Sequence, residues 1–136
     1  TIGGGLIPRL VDELPVLAFV AAVAEGKTVI ADAGELRVKE SDRLKMIAQG
    51  LAAFGATFEE QPDGIVICGK PGLLAAPVQT MDPAGDHRMA MAFSVAALAT
   101  GGTMRLADAA CVAVSYPSFF KTLTELGAVT AAKEEA

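Results

Sequence analysis

An internal repeat restricts the fold of this 136-residue chain more than any other feature of its sequence. Gly26 and Gly102 are 76 positions apart (102 − 26 = 76), and the same interval separates two Ala-Asp-Ala triplets centred on Asp32 and Asp108. The interval also pairs Val38 with Val114 and Lys45 with Lys121. A repeat at this distance predicts two similar supersecondary units that pack against each other.

The order of predicted elements is similar in the two units: helix, strand, loop, helix, strand. In the first unit the pattern predicts a helix over 12–24, a strand over 28–30, a helix from Ser41 or Asp42 to Gly55, and a hairpin of strands over 57–60 and 65–68. In the second it predicts a helix over 86–100, a strand over 103–106, a helix from Pro117 to Gly127, a strand over 128–130 and a frayed tail over 131–136. The predicted fold class is α+β, built of repeated βαβαββ-type units at about 6–70 and 80–131.

Two such units leave apolar surface uncovered, because each buries its faces against its neighbours. The helices over 12–24 and 86–100 are apolar nearly all round, which predicts that they are buried. The chain also begins at Thr1 rather than at Met. We therefore expect a fragment of a longer protein, and we expect the isolated fragment to self-associate.

Composition restricts the class of protein. The net charge of −5 argues against a general nucleic-acid surface, which needs a basic face. No apolar run approaches the roughly 18 residues that a membrane span needs. Cys68 and Cys111 lack metal-ligand spacing, so we interpret them as reduced, buried residues of a cytoplasmic protein and expect no metal site.

The densest group of polar side chains is the octet Arg37 to Leu44, which reads RVKESDRL. Arg43 and Arg88 each lie in the predicted first turn of a helix, where the macrodipole disfavours a cation by about 0.3–1 kcal/mol. A bound anion compensates for such a placement, since helix N-termini supply N–H donors and arginine binds phosphate or carboxylate with two hydrogen bonds. The octet therefore predicts an anion site.

Each of these residues also has a simpler interpretation. Asp12 and Asp86 are well placed to cap helices, as are Ser41 and Asp42. Lys39 and Glu40 can form an ordinary solvated pair, which contributes little to stability. His87 is as consistent with a structural hydrogen bond as with a role in binding.

Four motifs together resemble one family, the 5-enolpyruvylshikimate-3-phosphate (EPSP) synthases. They are DELP at 12–15, RVKESDRL at 37–44, DHRMA at 86–90 and VSYP at 114–117. The resemblance covers roughly 6–128, and the octet with DHRMA is its most specific part. The related transferases acting on UDP-N-acetylglucosamine share the fold but lack the octet. The resemblance implies a two-domain inside-out α/β barrel of six repeats, of which this chain holds two and lacks the N-terminal domain.

The resemblance also implies roles for individual residues. Asp12 would accept a proton and contact shikimate 3-phosphate, Lys39 would bind the same substrate, and Glu40 would donate a proton. The residues expected to hold phosphoenolpyruvate are Arg43, Arg88 and His87. Neither a metal nor an organic cofactor is implied.

One position departs from the family pattern. Val114 stands where some members carry a lysine that touches phosphoenolpyruvate. One phosphate contact that the resemblance implies is therefore in doubt, and the position bears on sensitivity to the inhibitor glyphosate. The alternative to an enzyme fragment is a non-catalytic module that binds anions or takes part in assembly.

Overall fold

Five α-helices and three strands form the part of the chain that the computed structural model describes, residues 1–132. The helices are α1 (Ile7–Leu10), α2 (Leu14–Val23), α3 (Arg43–Ala53), α4 (His87–Thr100) and α5 (Phe119–Glu125). The strands are β1 (Gly26–Ile30), β2 (Thr57–Gln61) and β3 (Gly64–Gly69). Short 3₁₀ helices cover Gly4–Leu6, Gly34–Val38 and Ala109–Val114.

The three strands form one antiparallel sheet with the order β1-β3-β2. The predicted hairpin is present, with Gln61 opposite Gly64 across a turn of Pro62 and Asp63. Glycine is required at position 64, since a Cβ atom there would lie 2.0 Å from the carbonyl oxygen of Ile30. This close approach places the hairpin directly against the end of β1.

Helices α2, α3 and α4 pack together, with α2 and α3 also contacting the sheet. Gly50 of α3 makes this packing possible, because a Cβ atom there would lie 2.5 Å from the ring of Phe93 and 2.9 Å from that of Phe19. The rings of Phe19 and Phe54 meet edge to face with centroids 5.3 Å apart. The core therefore combines small helix residues with a few aromatic rings.

The backbone repeats at the interval found in the sequence. In the first unit Ile2 bonds to both Val29 and Ala31, and in the second Met81 bonds to both Arg105 and Ala107. The four hydrogen bonds are 2.7–2.8 Å long. The aspartates that follow these bridges both adopt a left-handed conformation, with φ of 56° at Asp32 and 45° at Asp108. The proposed unit limits, 6–70 and 80–131, stay a prediction, and Ile2 lies before them.

Two predicted strands are absent from the described residues. Residues 103–106 contribute only the bridge between Leu106 and Met81, and 128–130 form no strand. The first unit has β3 to complete the hydrogen bonds of β1, whereas residues 81–132 contain no equivalent hairpin. The stretches 103–106 and 128–130 have the residue types of strands, but in the described residues no neighbouring strand pairs with them to form a ladder of hydrogen bonds.

Helix limits also differ from the prediction. Helix α2 begins at Leu14, and the side chain of Asp12 makes no cap, because the intervening turn directs it to two arginines. The caps of α3 and α4 are the predicted Asp42 and Asp86. Helix α5 begins at Phe119, two residues after Pro117. Most of the predicted tail, 133–136, lies outside the described residues.

Burial was predicted wrongly at several positions. Cys68 is exposed because side chains alternate along β3, with Ile65 and Ile67 facing the core. Helices α2 and α4 are not covered on all sides, and Val20 and Leu98 are about half exposed. Among residues 1–132 no helix has the length and apolar character to cross a membrane.

Candidate active site

The guanidinium of Arg43 is the centre of a charged cluster at the start of α3. Its side chain is only 1% exposed, and all five of its N–H groups have acceptors. Nε donates to Asp86 Oδ2 at 2.9 Å; Nη1 donates to Asp12 Oδ1 at 3.0 Å and to the Val11 carbonyl at 3.4 Å; and Nη2 donates to Glu40 Oε2 at 2.7 Å and to Asp86 Oδ1 at 3.4 Å. A buried guanidinium is tolerated only with such complete pairing.

Asp86 is the buried carboxylate that holds Arg43 in place. It is 0% exposed and also accepts hydrogen bonds from Ser41 Oγ at 2.8 Å and from the Arg88 amide at 3.0 Å. Burial by itself would raise the pKa of Asp86, but hydrogen bonds from Arg43 and Ser41 outweigh it and hold the pKa below its usual value. Desolvation likewise works against the charge of Arg43, and its bonds to Asp86 and Asp12 raise its pKa.

The role of Asp86 in this pair goes beyond the predicted cap. A cap is recognised from local spacing, whereas the ion pair joins residues 43 positions apart. The only local signal is that the acid precedes a helix that is otherwise apolar after Arg88. Sequence reasoning therefore identified the residue and missed its partner.

Glu40 and His87 face each other across the cluster. Glu40 Oε1 lies 3.9 Å from His87 Nε2, while Glu40 Oε2 is held by Arg43. The other imidazole nitrogen, Nδ1, is 2.5 Å from the hydroxyl of Ser115. His87 is buried, whereas the Glu40 side chain is 52% exposed, so the carboxylate is the part of this pair that a ligand can reach.

Asp12 bridges the two arginines. Its Oδ1 accepts from Arg43, and its Oδ2 lies 3.4 Å from Nη2 of Arg88. Within residues 1–132 the Nε of Arg88 is buried without a hydrogen-bond partner. Of the two guanidiniums in this cluster, Arg88 is therefore the one with an unpaired N–H, and that Nε is itself closed to solvent.

Lys39 and Arg37 lie apart from this network. The nearest carboxylate to Lys39 Nζ is Glu35, at 3.9 Å. Arg37 instead ties the octet to the hairpin: it pairs with Asp42 and Glu60 at 3.1 Å, and it donates to the carbonyls of residues 61 and 62. The structure thus brings together five of the six predicted site residues and leaves Lys39 at the edge.

The cluster carries no surplus of positive charge. Three carboxylates, those of Asp12, Glu40 and Asp86, surround two guanidiniums, those of Arg43 and Arg88. Among the described residues no group of three or more His, Cys, Asp or Glu side chains is arranged to hold a metal ion. The arrangement fixes two accessible carboxylates around one buried cation, which suits proton transfer next to an anionic ligand.

The chain is similar to known proteins of one family. The model of the EPSP synthase family, 3-phosphoshikimate 1-carboxyvinyltransferase, matches residues 2–123. The 3-phosphoshikimate 1-carboxyvinyltransferases of Gloeobacter violaceus and Chloroflexus aggregans are 55% and 52% identical over 126 residues, covering 93% of this chain and 28% of each relative. The solved EPSP synthase of Acinetobacter baumannii superposes with a TM-score of 0.80 at 39% identity, over 88% of this chain and 28% of that one.

The chain therefore belongs to the EPSP synthase family. It spans about 28% of the length of the relatives that it matches. The family resemblance of the four motifs and the predicted α+β fold class, as part of an EPSP synthase domain, are confirmed.

Proposed function

We propose that the longer protein containing this chain is a 3-phosphoshikimate 1-carboxyvinyltransferase. It would transfer the enolpyruvyl group of phosphoenolpyruvate to the 5-hydroxyl of shikimate 3-phosphate and release phosphate. The observation that carries the proposal is that five residues form one cluster. Asp12 and Glu40 contact the guanidinium of Arg43, His87 lies beside Glu40, and Arg88 lies beside Asp12. These are the residues to which the family resemblance assigns catalysis and phosphoenolpyruvate binding.

Two proton transfers are required, and two accessible carboxylates are available for them. Asp12 would accept the proton of the attacking hydroxyl, and Glu40, in its carboxylic acid form, would donate its proton to the alkene methylene. Arg43 bonds to both, at 3.0 Å and 2.7 Å, so a single guanidinium fixes their separation before an anion binds. Asp86 is fully buried, which supports a role in holding Arg43 rather than in proton transfer.

Phosphoenolpyruvate would bind through Arg88 and Arg43 with different consequences. The Arg88 side chain is 32% exposed, so an anion can reach its guanidinium without displacing a carboxylate from Arg43. Every N–H of Arg43 is already occupied, so an anion must replace Glu40 or Asp12 at that guanidinium. His87 would line the site next to Glu40, and Lys39 would bind shikimate 3-phosphate from the edge of the cluster.

The charge balance supports a site completed by another part of the protein. Both substrates are anions, and the described cluster has more carboxylates than guanidiniums. Cations from the N-terminal part of the protein would supply the missing attraction. The isolated chain is therefore expected to be inactive and to bind either substrate weakly, which disfavours an autonomous anion-binding module. The octet likewise disfavours the related UDP-N-acetylglucosamine transferases.

Reconstitution tests the proposal. Purified chain mixed with the N-terminal portion should release phosphate from phosphoenolpyruvate and shikimate 3-phosphate, and neither part should do so alone. Arg88→Ala should raise the KM for phosphoenolpyruvate at least tenfold, since a charged hydrogen bond contributes about 1.5–3 kcal/mol. Arg105→Ala is the matched control, because the Arg105 side chain is exposed and, among residues 1–132, bonds only to the Val78 carbonyl. Absence of phosphate release from a complex shown to have assembled would contradict the proposal.

Self-association of the isolated chain is a second part of the proposal. An apolar groove between α2 and α4 supports it; the groove is lined by Val16, Val20, Val23, Leu74, Val95 and Ala99. Apolar surface exposed in a contiguous patch favours association. Sedimentation at micromolar concentration should give dimers or larger species, and Val20→Lys should shift them to monomer, whereas a monomeric parent chain would refute this part.

A cytoplasmic location is also proposed, supported by the two free thiols, Cys68 and Cys111.

A further inference from the structure

Ser115 contacts the site from the second unit of the repeat. It follows the 3₁₀ helix Ala109–Val114, and its amide donates to the Val112 carbonyl at 3.2 Å. Its hydroxyl lies 2.5 Å from Nδ1 of His87, the first residue of α4. The two ring nitrogens of His87 thus face different groups, a hydroxyl on one side and the Glu40 carboxylate on the other.

This asymmetry determines which nitrogen carries the proton in neutral imidazole. A carboxylate only accepts hydrogen bonds, so Nε2, 3.9 Å from Glu40 Oε1, is the nitrogen that is favourably protonated. Nδ1 is then an acceptor, and the Ser115 hydroxyl is able to donate to it. A hydroxyl can donate or accept, so Ser115 does not select the tautomer by itself. Its bond to Nδ1 anchors the ring with Nε2 facing Glu40, and without that anchor the ring can turn so that the carboxylate no longer selects the tautomer.

We propose that Ser115 is a positioning residue that holds His87 in the Nε2–H tautomer and turns that N–H towards Glu40. The proposal rests on the proposed function for its catalytic meaning, since Glu40 is there the proton donor. In the proposed arrangement, Ser115 donates a hydrogen bond to Nδ1 of His87, Nε2–H points at Oε1 of Glu40, and Arg43 holds Oε2 of the same carboxylate. Both oxygens of the carboxylate are then oriented before substrate arrives.

The position of Ser115 in the repeat supports a dedicated role. The 76-residue interval pairs it with Lys39, so the same backbone position provides a cation in one unit and a hydroxyl in the other. Ser118, three residues further on, makes no side-chain cap for α5. The segment therefore contains one serine whose hydroxyl contacts the cluster and another that serves as a matched control.

The experiment measures the tautomer directly. Full-length protein is labelled with ¹⁵N-histidine, and the His87 signals are identified by their loss in His87→Gln. A protonated and an unprotonated ring nitrogen differ widely in ¹⁵N shift, so substrate-free spectra at a pH where His87 is neutral report the tautomer. Wild type should show Nε2 protonated, Ser115→Ala a mixture of both tautomers, and Ser115→Thr and Ser118→Ala the wild-type pattern.

Activity gives an independent second measurement. Ser115→Ala should lower kcat about tenfold, with a smaller change in KM. A misoriented His87 no longer holds the Glu40 carboxylate in the orientation that proton transfer requires. Ser115→Thr should restore most of kcat. Protonation at Nδ1 in wild type, or an unchanged tautomer in Ser115→Ala, would overturn the proposal. If the wild-type protein shows the expected tautomer but has no carboxyvinyl transferase activity, that result would instead count against the proposed function alone.

Discussion

Arg43 and Phe119 occupy corresponding positions in the two units and differ completely in chemistry. They are 76 residues apart, each is the first residue of a helix, and they are 1% and 7% exposed. Phe119 packs in a small apolar cluster with Ala90 and Val112, and its ring is 5.1 Å from that of Phe120. The same backbone position therefore accepts either a buried guanidinium or a buried phenyl ring.

The difference lies in the surroundings rather than in the backbone. Arg43 is tolerated because Asp12, Glu40 and Asp86 converge on it from three separate segments. The repeat does not require these carboxylates, since α5 forms without an equivalent set. Charge that the scaffold does not need, and that desolvation makes costly, supports the proposed function.

The largest expected effect comes from removing one partner of the buried pair. Arg43→Met or Asp86→Leu alone should lower the free energy of unfolding by about 3–5 kcal/mol, because the remaining charge is left buried. The double variant should lose less than the sum of the two, since both charges are gone. Urea unfolding of the chain measures this cycle, and strict additivity would show that the pair is not coupled.

The same pair predicts a dependence on pH. The pKa of Asp86 is lowered in the folded state, so its contribution to stability is present above its ordinary value of 3.8 and is lost as the pH falls further. The stability difference between wild type and Asp86→Leu should therefore shrink in acid. Asp42→Leu serves as a control, because its partner Arg37 is partly exposed.

An intermediate effect is expected from adding a cation to the second unit. Val114 is 75% exposed and precedes Ser115, so a longer side chain meets no steric obstacle at its own position. Val114→Lys in the full-length protein should lower the KM for phosphoenolpyruvate about threefold to tenfold, as one partly solvated charge contributes about 0.7–1.4 kcal/mol. Val78→Lys, equally exposed and far from the octet in sequence, should leave KM unchanged. An unchanged KM in Val114→Lys would separate this position from the site.

The smallest effect concerns the two left-handed aspartates. Asp108→Gly should stabilise the chain by up to about 1 kcal/mol, because glycine adopts positive φ without steric cost. Asp32→Gly should gain less or lose stability, since Asp32 Oδ2 accepts a 2.9 Å hydrogen bond from the Gly4 amide. Thermal unfolding of both variants gives the comparison, and equal shifts would mean that this hydrogen bond contributes nothing.

Much of this organisation was accessible from the sequence because it depends on local rules. Apolar spacing gave α3 and α4, the Pro62-Asp63 turn gave the hairpin, and short polar side chains gave the caps at Asp42 and Asp86. The 76-residue interval was found from matching residues of the two units and reappears between Ile30 and Leu106, which form the bridges to Ile2 and Met81.

What the sequence did not reveal depends on contacts between distant residues. A strand forms only where a partner strand supplies a series of hydrogen bonds, and within the described residues 103–106 has only the single bridge to Met81. Aspartate is a common helix-capping residue, yet the carboxylate of Asp12 instead contacts guanidiniums that are 31 and 76 positions away in the sequence. The contact of Ser115 with His87 joins residues 28 positions apart within the second unit and leaves no local signal in either segment.

The full occupancy of Arg43 has a consequence for selectivity. Cellular fluids are rich in small monovalent anions, and an arginine with free donors attracts any of them. Here each such anion must compete with a carboxylate that the protein already holds at 2.7–3.0 Å. A ligand with two charged arms, able to engage Arg88 while it displaces a carboxylate from Arg43, has an advantage that chloride lacks. In the proposed site the internal carboxylates would thus compete with small anions, and ligands would be discriminated by the number of charges that they present at once.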